Sequence, residues 1–141
     1  MLKNVNPLLG PELLSILRAM GHGEEIAIVD RNYPAISAGP AVVRHDGTDA
    51  PTSLEAILSV LPLDTGADAV ARMQFKDQPD ELLPVMRDLI ETSQRVAPGI
   101  VVGSLTPSAF KERAAKAVAI VVTGEVRTYG NILLRKGTLP A

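Results

Sequence analysis

A histidine flanked by glycines, Gly21-His22-Gly23, is followed eight positions later by Asp30, and Tyr129-Gly130-Asn131 stands near the C-terminus. These residues supply an imidazole, a carboxylate, a phenol and an amide, in a chain without cysteine. An imidazole is the side chain best matched to moving protons near neutral pH. No phosphate loop surrounds the group, and His22 and His45 are too far apart for a metal-binding pair such as HExxH. The set points to acid–base work on a small neutral molecule, with no metal and no cofactor.

Each piece has a structural alternative. His22 follows a helix end, where an imidazole can simply complement the dipole and the free carbonyls. Its glycine neighbours argue for more, because they let the backbone bend tightly and leave room beside the ring. Gly21-His22-Gly23 is no dinucleotide fingerprint: it precedes a strand and lacks the third glycine. Asp30 lies just past a strand, where open α/β sheets line their ligand crevice, and it competes with a solvated turn aspartate. Tyr129-Gly130-Asn131 reads either as a turn or as a phenol–amide clamp for sugar hydroxyls. His45, in a His-Asp-Gly turn, reads as solvated. A straight strand between His22 and Asp30 would hold them roughly 20 Å apart at ~3.3 Å per residue. They share a site only if the chain bends back or a neighbouring subunit supplies one of them.

The elements that must position these residues follow from hydrophobic period. Pro11 opens a helix carrying Leu13, Ile16, Leu17 and Met20 on one face, ended by Gly21. Glu25–Val29 is a short buried strand, Asn32–Pro40 a loop, and Ala41–Arg44 a brief strand closed by His45-Asp46-Gly47. A cap at Thr52 or Ser53 starts a helix through Leu61, Ala67–Phe75 is a strand, and Pro79–Val96 is the longest helix. Then come a strand at Ile100–Val102, a helix over Thr106–Ala117, and strands at Val118–Val122 and Ile132–Leu134. The expected architecture is α/β: one domain over residues 1–141, a three-layer sandwich whose largely parallel or mixed sheet is flanked by helices.

Composition narrows the function classes. The chain has 141 residues and is 46% hydrophobic, yet it has only two Tyr, two Phe and no Trp, so the core is aliphatic and base-stacking platforms are scarce. A net charge of −2 without a basic cluster argues against nucleic acid. The first residues, MLKNVNPLLGPELL, break any signal-peptide apolar run, and no run approaches the roughly 20 residues of a membrane helix. The expectation is a cytoplasmic protein with no membrane partner.

Over nearly its whole length the chain resembles the D-ribose pyranase / L-fucose mutarotase family, the fucose branch more closely. The likeness runs through Pro11-Glu12-Leu13-Leu14, Met20-Gly21-His22-Gly23, Asp30, Pro34-Ala35 and Gly39-Pro40. It continues through Ala109-Phe110, Glu112-Arg113-Ala114, Thr123-Gly124-Glu125 and Tyr129-Gly130-Asn131-Ile132-Leu133-Leu134. The resemblance implies an isomerase that interconverts anomers or ring forms of a free monosaccharide. It implies His22 as proton donor and sugar contacts from Asp30, Tyr129, Gly130 and Asn131. It also implies ring-like homo-oligomers such as decamers, with sites near subunit boundaries. One position departs from the family: Pro107 stands where the fucose branch carries arginine and the ribose branch histidine. Proline offers no side-chain donor. Lys111, one helical turn on, matches a lysine of the ribose branch and shares that face. Asp30 and Tyr129 join His22 as candidate catalytic groups, and Pro107 and Lys111 join the candidate sugar contacts.

Overall fold

A computed structural model describes residues 1–141. The elements, in chain order, are α1 (Pro11–Ala19), β1 (Glu25–Val29), α2 (Ala35–Ala38), β2 (Ala41–His45), α3 (Ala50–Leu58) and β3 (Val70–Met73). They continue with α4 (Pro84–Val96), β4 (Val102–Leu105), α5 (Pro107–Ala114), β5 (Ala119–Thr123) and β6 (Ile132–Arg135). The strands form one mixed sheet in the order β2-β5-β1-β6-β3-β4, in which β6 alone runs antiparallel to its neighbours. The three-layer α/β sandwich expected from the sequence is the observed fold.

Strand period explains the layers. Successive side chains of a strand face opposite sides, so a strand covered on both faces is apolar throughout. Ile26 and Ile28 of β1, Ala119 and Val121 of β5, and Ile132 and Leu134 of β6 share one core with Leu13 and Leu17 of α1, Leu54 and Ile57 of α3 and Leu89 of α4. Their alternates Ala27, Val29, Ile120, Val122 and Leu133 pack on the other face against Ala35 of α2 and Phe110 and Ala114 of α5. Because all of these are almost fully buried, a one-residue slip of any central strand would exchange the two cores.

Several boundaries differ from the sequence expectation, each for a local reason. The helix expected from Pro79 begins at Pro84, because a residue before proline is pushed out of the α region; Leu83 is extended at ψ 156°. The expected cap at Thr52 or Ser53 is instead Asp49, whose carboxylate accepts the Thr52 N–H at 2.9 Å. The loop 32–40 contains the single turn α2. β4 begins two residues late: Val101 is exposed, and pairing to β3 runs from Val102 to Leu105. Gly103 is needed there, since a Cβ would come within 2.6 Å of the Ala67 carbonyl oxygen.

His45 is not a solvated turn residue. It ends β2, and its Nδ1 lies 2.9 Å from the hydroxyl of the fully buried Ser53. Burial pushes its pKa below the ordinary 6.5, against a smaller opposite effect from the Leu8 carbonyl. The native state therefore binds fewer protons than the unfolded chain around and below pH 6.5, so stability falls as pH drops through that range. Between pH 7 and 5 the wild type is expected to lose denaturant resistance more steeply than His45→Gln. Equal pH slopes for the two proteins would remove His45 from the pH dependence.

Candidate functional site

The carboxyl ends of β1, β3 and β4 and the start of β6 lie on one edge of the sheet, because β6 runs against the others. Asp30 leaves β1 there, Met73 ends β3, Pro107 follows β4, and Asn131 precedes β6. They line an open pocket of about 220 Å³ with Tyr33 and Tyr129, and Lys111 and Thr128 stand on its rim. This is the crevice where open α/β sheets collect ligands, on both sides of the antiparallel strand.

Asp30 and Asn131 make the pocket wall polar and are fixed by hydrogen bonds. Asp30 and Asn131 are 5% and 3% exposed, 101 positions apart in the chain, and joined: the Asn131 Oδ1 accepts the Asp30 backbone N–H at 2.9 Å. Asp30 Oδ1 accepts the Asn32 N–H at 2.9 Å, which turns the chain out of β1. The Asn131 amide donates to the Met73 sulfur at 3.6 Å, and the Met73 N–H donates to the Asn131 carbonyl at 3.1 Å. Tyr33 closes one side. Burial, and then the neighbouring Asp30 charge, raises its phenol pKa, which keeps it a neutral hydrogen-bonding group.

Tyr129 is held in an unusual conformation, with φ +67°, in the left-handed region that few residues other than glycine adopt. Its ring meets Phe75 edge-on, centroids 5.2 Å apart. Gly130 follows with no room for a side chain: a Cβ would sit 2.8 Å from Glu125 Cγ and 3.0 Å from Val85 Cγ2. Gly130 is therefore packed against the interior, between two residues that line the pocket.

His22 is elsewhere. β1 runs straight between it and Asp30, so the imidazole lies at the opposite edge of the sheet, where Gly23 turns the chain at φ +87° and its N–H bonds the Lys136 carbonyl. The ring is 60% exposed, and its Nε2 stands 3.3 Å from Asp64 Oδ1. Asp64 in turn accepts from Arg135 Nε at 3.0 Å, and Arg135 also pairs with Asp68 at 2.9 Å. A hydrogen bond from the Thr65 backbone, and then those from Arg135 and His22, hold the Asp64 carboxyl below the usual range. Asp64 thus stays ionised and orients one imidazole nitrogen, leaving the other outward. Of the predicted site residues, one chain brings together Asp30, Pro107, Lys111, Tyr129 and Asn131 around one pocket, with Gly130 buried between the last two, and leaves His22 apart.

Tyr33, Met73 and Thr128 at the pocket, Phe75 behind Tyr129 and Asp64 beside His22 are absent from the sequence expectation. Met73 and Phe75 fall within an expected strand with nothing to mark either as near a site. Asp64 follows Pro62-Leu63 and reads as a turn; only the antiparallel return of β6 brings Arg135 to it. For Phe75, the scarcity of aromatic residues was the one available signal.

The family model of the RbsD / FucU transport protein family matches residues 3–139. The chain belongs to this family. The structure superposes on that of protein Atu2016, whose assignment as a sugar binding protein is provisional, with TM-score 0.93 and 38% identity over 99% of this chain and 97% of that one. It is similar to the fucose mutarotase of Streptococcus pneumoniae, solved in complex with L-fucose, at TM-score 0.90 and 33% identity over 99% and 100% of the two chains. FucU from Bifidobacterium longum matches at TM-score 0.89 and 34% identity over 98% and 100%. No helix of the chain is long and apolar enough to cross a membrane.

Proposed function

We propose that this member of the RbsD / FucU family is a monosaccharide mutarotase. Membership of the family and the likeness to the fucose mutarotase support a sugar mutarotase or pyranase activity, and L-fucose is the leading substrate. The observation that carries the reading is the pocket at the β1–β6–β3 edge, where buried, pre-bonded Asp30 and Asn131 meet the phenol of Tyr129. At about 220 Å³ it is below the ~300–1,000 Å³ of drug-sized ligand sites. That size suits one sugar ring partly covered by a second surface.

Mutarotation opens a cyclic hemiacetal to the free aldehyde and recloses it on the other face. The ring C–O bond breaks as a proton is delivered to the ring oxygen and the anomeric hydroxyl gives one up; closure reverses both transfers. Neither transfer requires a metal, a cofactor or a covalent intermediate. Asp30, Asn131 and the Tyr129 phenol hold sugar hydroxyls, with Tyr129 also placed for a second proton transfer. His22 supplies the proton to the ring oxygen and arrives from a second copy of the chain, so the catalyst is a homo-oligomer. Asp64, 3.3 Å from the His22 Nε2, orients the imidazole. Exposed Ile36 and Val126, on the segments bordering the pocket, are the apolar surface such a copy would cover.

Pro107 bears on the choice of sugar at one specific wall of the pocket. It removes the cationic or imidazole donor that the resemblance places there and leaves the Lys111 ammonium as the nearest charged donor. Pro107 and the provisional sugar-binding assignment of Atu2016 favour, as the second reading, a protein that binds a sugar without turnover. Proton NMR saturation transfer on L-fucose, D-ribose and related aldoses separates the two. Anomer exchange well above the buffer rate for one sugar is the expected result. Saturable sugar binding with no faster exchange would establish the binding protein instead.

A further inference from the structure

The loop that carries Tyr129 and Asn131 is built on a charged group the chemistry does not touch. Glu125 is 2% exposed, yet its carboxylate accepts from the Arg127 backbone N–H at 3.0 Å, from Arg127 Nε at 2.9 Å, from Arg127 Nη2 at 3.0 Å and from the Ala50 N–H at 3.3 Å. Burial pushes its carboxyl pKa up, and the Arg127 hydrogen bonds outweigh that and lower it. The guanidinium's third arm reaches α4, where Nη1 donates to Asp88 at 2.7 Å. One arginine therefore braces its own loop on Glu125 and ties that loop to α4 through Asp88.

The coupling to the site is direct. The Glu125 methylene stem lies under Gly130, so close that a Cβ there would meet Glu125 Cγ at 2.8 Å. Gly130 is the residue between Tyr129, whose φ is +67°, and Asn131. The Glu125 carbonyl also accepts the Arg31 N–H at 3.1 Å, one residue past Asp30. A backbone held in the left-handed region by a tyrosine persists only where its surroundings over-determine it.

We propose that Arg127 is a positioning residue. By clamping the buried Glu125 carboxylate beneath Gly130 and anchoring to Asp88, it presents Tyr129 and Asn131 to the sugar. The inference rests on the mutarotase reading for its kinetic consequence and on geometry alone for its structural one. Freed from the clamp, the loop samples other conformations, sugar binding weakens, and the His22 proton transfer is untouched once the sugar is seated.

The test uses the full chain with 13C-methyl methionine. Met73, bonded to Asn131 and lining the pocket, reports the loop, and a Met73→Leu spectrum identifies its signal among the four methionines. Arg127→Gln is expected to shift the Met73 methyl resonance and to raise KM for anomer exchange roughly tenfold, with a smaller fall in kcat through the displaced Tyr129. Arg127→Lys should recover part of both effects. Asp88→Ala, which removes the anchor while leaving Glu125 paired, should move both readouts the same way by less, and decides the matter if Arg127→Gln does not fold. A lowered melting temperature with Met73 methyl shift and KM both unchanged would make Arg127 merely structural and overturn the proposal. Should the native protein accelerate exchange of no sugar, the mutarotase reading falls, and the methyl shift alone still decides whether Arg127 positions the loop.

Discussion

His22→Ala is expected to abolish accelerated anomer exchange while leaving the fold intact. A positioned proton donor contributes about 10²- to 10⁴-fold, or roughly 3–5 kcal/mol of barrier. The stability cost should be small, within about 0.5 kcal/mol, because the ring is exposed and its one side-chain partner, Asp64, keeps Arg135. Saturation transfer on the variant and a thermal melt together measure both halves; undiminished exchange would end the proton-donor assignment. A mixing experiment then addresses the placement of His22 at the edge of the sheet away from the pocket. His22→Ala and Asp30→Asn are each expected to be inactive. Co-refolded, they should regain activity, because some interfaces pair an intact His22 of one copy with an intact Asp30 of another. Persistent inactivity of mixed assemblies that form normally would exclude a site shared between copies.

How much of this was legible in the sequence differs by level. The central strands were, because burial on both faces leaves short apolar runs such as Ile26–Val29 and Ala119–Val122 bounded by polar residues. Helix starts were not legible where two signals compete. Pro79 and Pro84 both suit a first turn, and only the packing of Val85, Met86 and Leu89 selects the second. Asp, Thr and Ser all cap helices, so residue type alone does not select Asp49 over Thr52 or Ser53, and Ser53 is wholly buried beside His45. Among the candidate site residues, those beside strand ends, Asp30 and Tyr129-Gly130-Asn131, are legible as polar groups next to apolar runs. The Asp30–Asn131 bond and the Asp64–Arg135 pair span 101 and 71 positions, and nothing local announces them. They follow from β6 running antiparallel between β1 and β3, a fact of topology that periodicity does not encode. The same strand explains why His22 and the pocket cannot meet in one chain: β1 is straight and fully paired on both sides between them.

Phe110→Ala should be the most destabilising of the simple truncations. Phe110 is fully buried on α5, the one phenylalanine in a core that is otherwise nearly all aliphatic. It packs in one cluster with the sheet residues Ala27, Val29, Ile120 and Val122, which are short or β-branched and stiff and so refill the space poorly. Truncating a phenylalanine in a core costs about 3–5 kcal/mol, toward the upper end where the surroundings cannot collapse. For a chain of this length that corresponds to a melting temperature lower by roughly 10–20 °C. Phe110→Leu, which refills most of the volume, should lose far less. The consequence reaches the pocket through two contacts. Tyr33, which lines it, meets the Phe110 ring edge-on at 6.0 Å, and α5 also carries Pro107 and Lys111. Sugar binding to the folded fraction of Phe110→Ala should therefore weaken as well. Loss of stability with unchanged binding would mean that Tyr33 and Lys111 are placed by their own backbone, and that the aromatic pair serves the core alone.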